Sequence, residues 1–271
     1  MKRRVADAGV RLTAGVTTGI AAGLLTASLA GLYGGVLNPF PVSFARARRT
    51  VQVMLQMPNG QSYPLTYPAF SLIPATGDGI ELSGGAISVR SQAAEGRPAA
   101  TIEFTSPDYL RVLDIQPALG RLPKTLPAEA VPEVLATDHF FRTALRADPS
   151  QLGHVLALSD CAVNVVGVAA ASAEAWRREA DLWAPIDALP QCDTAELLGA
   201  GTYSTRVVAL LTRGADPQML RNSLEGRLHA LNEDRGEHVR VERLAAARLP
   251  TATQAGLLVF SLCASVAFGA A

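Results

Sequence analysis

The hydropathy pattern is dominated by an interval without charge. No Asp, Glu, Lys or Arg occurs from Leu12 to Phe44, and its apolar part runs from Leu12 to Leu37. A helix crossing a bilayer needs about 20 predominantly apolar residues, so the pattern predicts a transmembrane helix over 12–37 behind a basic segment at 1–11. Lys2, Arg3, Arg4 and Arg11 precede the run against Asp7 alone. By the positive-inside rule this puts the N-terminus in the cytoplasm and the chain after Val36 outside. Gly15, Gly19 and Gly23 recur at every fourth position, a candidate helix-packing face; the plainer alternative is a glycine-tolerant, lipid-facing span. A cleaved signal peptide, with Ser28 and Ala30 at the cleavage site, competes with the retained helix. The uncharged stretch continues past Ala30, farther than a signal sequence requires, which favours retention. A second uncharged interval follows Arg248, and 253–271 reads as the start of a second transmembrane helix.

Between these runs, 43–250 has the texture of a folded domain. Thr50 to Met57 alternates Val51, Val53, Leu55 and Met57 on one face, the period of a half-buried strand. Pro58-Asn59-Gly60 predicts a turn, with a returning strand over Tyr63 to Tyr67. Ala86 to Ser91 and Thr101 to Thr105 read as further strands. Ser106 as N-cap and Pro107 at the first helical position predict a short helix through Tyr109, Leu110 and Leu113. A strand over Val131 to Ala136 precedes a helix capped by Asp138, carrying Phe140, Phe141 and Leu145 and stopping before Asp148-Pro149. His154 to Leu158 and Ala162 to Val168 pair as strands about Ser159-Asp160. Arg206 to Leu211 is a buried strand; Asp216-Pro217 opens a helix with Leu220, Leu224, Leu228 and Leu231 on one stripe. Val239 and Val241 mark a last strand. This order implies an α+β domain of mixed sheet and short helices flanked by transmembrane helices, not a doubly wound sheet.

Composition agrees with that division. Of 271 residues, 49% are hydrophobic and only 18% charged, against roughly 25% charged in an ordinary soluble domain. Lys plus Arg equals Asp plus Glu at 24 each, so no basic excess points to nucleic acid. Cys161, Cys192 and Cys263 form no CxxC pair. Cys161 and Cys192 fall in one extracytoplasmic domain and are a candidate disulfide, the alternative being two buried thiols.

Candidate chemistry is sparse. There is no GxxxxGK[ST], GxSxG or HExxH. His139, His154, His229 and His238 lack ligand spacing. Glu103, Asp108 and Asp114 are close in sequence but read as surface charges, and Trp183, with Trp176, as core packing before a binding platform. Arg121 fits a turn-stabilising hydrogen bond better than an anion site. The chain is therefore expected not to be an enzyme, with no catalytic residue, cofactor or metal.

The stretch FTSPDYLRVLDIQPALGRLP, Phe104 to Pro123, resembles the periplasmic core of MacB-type (MacB/FtsX-like) ABC transporter permeases. In that family a Ser-Pro-x-Tyr-Phe segment leads through a short helix into a Leu-Gly-Arg turn; Ser106, Pro107, Tyr109, Leu119, Gly120 and Arg121 match it. The likeness continues through Asp148, Pro149, Leu152 and Gly153, through Val165-Val166-Gly167-Val168, and through Leu182-Trp183-Ala184-Pro185. Two departures stand out. Asp114 replaces a frequent glycine, and Arg146-Ala147 replaces a glycine pair before Asp148-Pro149. Such permeases carry three more membrane helices after this domain, and this chain stops inside the first.

The resemblance implies a membrane component of an ABC-type export or mechanotransmission system in the bacterial inner membrane, with its main domain periplasmic. It further implies a separate cytoplasmic ABC ATPase, contact with membrane lipid, and homo- or hetero-oligomers with permease subunits. The alternative is a membrane-anchored or secreted binding module derived from a truncated permease.

Overall fold

A computed structural model describes residues 44–93, 98–171, 173, 180–192, 204–229 and 238–244. Both uncharged runs, and with them Gly15, Gly19 and Gly23, lie outside the described residues, as do Trp176 and Leu231. Among the described residues no helix is long and apolar enough to cross a membrane.

The alternating segments become strands. These are β1 Thr50–Gln56, β2 Ser62–Tyr63, β3 Leu65–Thr66, β4 Ile80–Ser91, β5 Ala100–Thr105 and β6 Pro117–Gly120. They continue with β7 Glu133–Ala136, β8 Val155–Ala157, β9 Ala162–Ala169, β10 Leu182–Pro185, β11 Ser204–Leu211 and β12 His238–Arg243. Among the described residues the helices are short: α1 Phe44–Ala47, α2 Tyr67–Phe70, α3 Tyr109–Val112, α4 Asp138–Thr143 and α5 Leu189–Cys192, with only α6 Pro217–His229 exceeding two turns. The strands run in the order β12-β1-β11-β4-β5-β10-β7-β9-β6. Most pairs are antiparallel, but β10 runs parallel to β5 and β7 parallel to β9. Mixed pairing with helices too short for regular crossovers makes this α+β, as the sequence pattern implies.

Residues Ala45–Leu244 form one unit with two apolar cores. Val51, Val53 and Leu55 of β1 pack with Val207, Ala209, Leu220, Leu224 and Val239. Ile102, Phe104, Val134, Phe140, Phe141, Val165, Leu182 and Leu189 form the second. β4 belongs to both halves. Ile80 to Ile87 pairs with β11, while Ala86 to Ser91 pairs with β5. On the first core, Arg227 of α6 donates to the Leu72 carbonyl at 3.1 Å and pairs with Asp78, which also accepts from Ser223 at 3.0 Å.

Several local expectations are corrected. Tyr67 opens α2 instead of ending a strand, because Thr66 caps that helix. Thr137, not Asp138, caps α4: its hydroxyl accepts from the Phe140 amide at 3.1 Å, and Asp138 becomes the first helical residue, paired with Arg142 at 2.8 Å. Ser106 does not cap α3, whose N-cap is Asp108 without a side-chain bond.

The two family departures fall on left-handed backbone. After α3, Asp114 has φ +56°; its amide donates to the Arg111 carbonyl at 3.2 Å and the Ile115 amide to the Leu110 carbonyl at 2.9 Å. That pair of bonds is a Schellman end, in which glycine usually holds the Asp114 place. After α4, Arg146 and Ala147 have φ +55° and +53°. Left-handed backbone costs an L-residue roughly 1–2 kcal/mol, and alanine lacks the local hydrogen bonds that let Asp tolerate it. Ala147 is exposed, so Ala147→Gly removes strain without removing a core contact. It is expected to stabilise the domain by about 0.5–1 kcal/mol after the entropy cost of glycine, raising Tm by roughly 1–4 °C in thermal unfolding. An unchanged or lowered Tm would mean that the turn is unstrained.

Candidate functional site

The motif residues gather at two corners of the sheet. At the first, β5 leaves the sheet and Ser106 takes over its role. The Ser106 amide donates to the Gly85 carbonyl at 2.9 Å, and the Ser106 hydroxyl accepts from the Gly85 amide at 3.0 Å. Tyr109, fully buried, then lies over Gly84. A Cβ at Gly84 would stand 2.4 Å from the Tyr109 Cα, so only glycine admits this approach.

Beneath this corner sits a residue that sequence reasoning misplaced. Glu103 is not a surface charge; it has no exposed area. In register, Ser88 of β4 faces Glu103 of β5, which faces Trp183 of β10. The Trp183 indole donates to one carboxylate oxygen at 2.9 Å and the Ser88 hydroxyl to the other at 3.4 Å. Trp183 is thereby core, as expected, and offers no platform. Its indole donor is the signal that could have betrayed a buried acceptor, but it lies 80 residues from Glu103 in sequence.

At the second corner, the Leu-Gly-Arg turn interlocks with the Val-Val-Gly-Val strand. Gly120 has φ +68°, and a Cβ there would come 2.2 Å from the Val166 carbonyl oxygen; a Cβ at Gly167 would come 2.3 Å from that of Arg121. The Arg121 guanidinium forks onto Glu133, with Nη1 2.5 Å from Oε2 and Nη2 on Oε1, and Nη1 also reaches the Leu122 carbonyl at 3.2 Å. The Lys124 amide adds a bond to Glu133 at 3.0 Å. Arg121 is thus a turn-fixing residue, closing the base of the loop at 122–132. Its hydrogen bond is the main reason that the Glu133 carboxyl titrates below the ordinary glutamate value, with the Lys124 amide and the nearby cations helping and burial opposing. The adjoining cleft, lined by Lys124, Thr125, Pro132 and Asp187 among others, has a volume of about 10 Å³. That is room for a water, against the roughly 300–1,000 Å³ of small-molecule sites.

Elsewhere, Cys161 and Cys192 form a disulfide with Cα atoms 4.9 Å apart, joining the β8–β9 turn to α5. Asp108 and Asp114 sit in ion pairs with Arg111 at 2.5 Å and Arg46 at 4.0 Å. Among the described residues no group of three or more His, Cys, Asp or Glu could hold a metal ion.

The motif residues at the two corners close a backbone approach or a turn, and Trp183 ties neighbouring strands together. Residues 12–227 match the family of MacB-like periplasmic core domains. The chain belongs to that family. Two solved structures share the MacB-like fold. One is the periplasmic region of MacB from Actinobacillus actinomycetemcomitans, at TM-score 0.52 and 13% identity, covering 72% of this chain and 89% of that one. The other is the extracellular domain of the ABC-type transporter YknZ from Gram-positive bacteria, at TM-score 0.51 and 14% identity, covering 70% and 99%. Among curated proteins none matches.

Because the folded Glu133 pKa is depressed, the stability it contributes is complete above the unfolded glutamate pKa and is lost as pH falls through the folded value. Arg121→Gln is therefore expected to cost about 2 kcal/mol at neutral pH, a figure discounted for the half-exposed guanidinium. The gap from the parent protein should close in acid. Urea unfolding across the carboxylate range checks this, and an equal loss at every pH would remove Glu133 as the cause. Cys161→Ser opens a loop spanning 31 residues, for which chain entropy predicts a loss of about 3–4 kcal/mol, read as a lower urea midpoint.

Proposed function

We propose that this chain is the membrane component of an ABC-type export or mechanotransmission system. A separate cytoplasmic ATPase supplies energy, and the MacB-like domain works outside the cytoplasm as a lever or docking surface for partners. The observation that carries this reading is the family match itself. It begins at residue 12 and runs to 227, so it takes in the uncharged run together with the folded domain. The system would sit in the bacterial inner membrane, N-terminus inside, as a homo- or hetero-oligomer with permease subunits.

The domain itself would catalyse nothing. In support, its motif residues stabilise turns and close packing, its buried carboxylates Glu103 and Glu133 are held by Trp183 and Arg121, and the cleft beside Glu133 admits no substrate.

Native membranes carrying the full chain test the proposal when washed with alkaline carbonate and then solubilised for affinity purification. The chain is expected to stay with the membrane and to bring an ABC ATPase with it in fixed ratio. Release by carbonate would instead indicate a secreted module, and retention without any ATPase an anchored one.

A further inference from the structure

The two edges of the sheet are finished differently. At one end the outer side of β9 carries β6, which begins with Pro117 and pairs through a register shift, and β8, which is three residues long. Proline, bulges and short strands are the usual means of keeping an edge from pairing with another chain. At the other end stands β12, six residues without proline, in unbroken register with β1 from Val51↔Arg243 to Gln56↔His238. Among the described residues no strand pairs with its outer side.

The backbone groups that this outer side offers follow from β1. The Leu211 amide donates to the Arg49 carbonyl at 2.9 Å and the Met57 amide to the Gln61 carbonyl at 2.8 Å. The odd-numbered residues of β1 therefore turn their backbone groups toward β11 and β2. Bonding alternates along an antiparallel pair, so Gln52, Met54 and Gln56 bond β12 through their register partners Glu242, Arg240 and His238. The N–H and C=O groups of Val239, Val241 and Arg243 are left pointing away from the sheet. Of the side chains, Val239 and Val241 lie on the first core. Arg240 and Glu242, both half-buried, stand on the opposite face and pair with each other, and Arg240 also donates to the Ser62 hydroxyl at 3.2 Å.

We infer that β12 is an interface for a second copy of this chain, the two β12 strands pairing antiparallel about a two-fold axis at Val241. Charge complementarity selects the occupant and the register together. In a self-paired strand each register is defined by the residue that faces itself. Centring on Arg240 or on Glu242 sets like charges directly opposite, which is destabilising. Centring on Val239 or on Arg243 gives neither Arg240 nor Glu242 an opposite charge. Centring on Val241 sets Arg240 against the partner's Glu242, and Glu242 against the partner's Arg240. The same register brings Val241 to the partner's Val241 and Val239 to the partner's Arg243, the residues whose backbone groups point outward, so each of these pairs can exchange both hydrogen bonds. Arg240 and the partner's Glu242 then form a pair that is not hydrogen-bonded, with Cα atoms about 4.5 Å apart. That is closer than the roughly 6.6 Å between Arg240 and Glu242 along one strand. The charges that would guard this edge against an unlike strand thus fit it to its own copy, and the sheet continues from one copy into the next.

The inference makes specific the homo-oligomer of the function proposed above, and rests on that reading only there. Membranes carrying the full chain test it. With Cys263→Ser, and with Cys161 and Cys192 bonded to each other, an introduced cysteine is the one free thiol. Val241→Cys, oxidised with copper phenanthroline, should give a disulfide-linked dimer as the main product on a non-reducing gel. Arg243→Cys should give several-fold less, because its own mate lies roughly 13 Å along the seam, beyond the Cα separation of about 7 Å that a disulfide spans. Adding Glu242→Arg to Val241→Cys should lower the yield several-fold, and Arg240→Glu with Glu242→Arg should restore it. A second measurement leaves Val241 in place: light scattering in detergent should give the parent chain the mass of a dimer and Glu242→Arg that of a monomer. Equal yields from Val241→Cys and Arg243→Cys, a yield indifferent to the charge reversal, or a parent chain of monomer mass would overturn the inference. A dimer linked through Val241→Cys whose parent chain brings no ABC ATPase would keep the inference and defeat the proposed function. An ATPase that purifies with a chain failing to link there would do the reverse.

Discussion

The structure depends on how one strand is shared. β4 is paired along its first part with β11 and along its second with β5, and the handover falls at Gly84 to Ile87. A strand that changes partners leaves unpaired backbone where one neighbour ends, and an unpaired buried amide costs about as much as a lost hydrogen bond. Ser106 meets that need, offering its hydroxyl to the Gly85 amide and its own amide to the Gly85 carbonyl. The chain can then turn into α3 with Tyr109 closing over Gly84. The Ser-Pro-x-Tyr signature is therefore a joint between two halves of a sheet: serine bonds Gly85, glycine makes room and tyrosine covers it.

The second signature solves a similar problem on the far side. Gly120 and Gly167 each occupy a place where a Cβ would collide with a carbonyl of the other's segment, and Arg121 then locks the loop base through Glu133. Both corners leave little choice of residue, because a Cβ at either glycine would run into backbone. Residues under such steric demand hold the two corners in one shape.

Much of this was legible in the sequence, and the exceptions have physical causes. β1 announces itself by alternation against a core, and β5, β9 and β11 as short apolar runs buried almost throughout. The stretches that become β6 and β10 are four residues each, too short for a period to show, and β10 finds its place through a parallel partner 80 positions away. Thr137 and Asp138 are both good caps, and only backbone geometry chooses between them. Glu103 was misread for a sharper reason. A lone acid in a strand is ordinarily on the wet face, and its burial depends on Trp183 and Ser88 arriving from two other strands. The disulfide was legible as a candidate pair, not as a bond, since separation in space is what decides it.

Ser88, Glu103 and Trp183 form a polar line across three adjacent strands, a form of cross-linking distinct from the backbone ladder. Sliding β10 against β5 by one residue would turn Trp183 to the opposite face and strip the carboxylate of its indole donor. An apolar trio of the same size would tolerate such a slip better, because dispersion contacts are less directional than a hydrogen bond to a buried acid. The arrangement therefore fixes register more than it adds stability. The line also ties the two cores together, because its three residues stand on β4, β5 and β10, which lie side by side in the sheet.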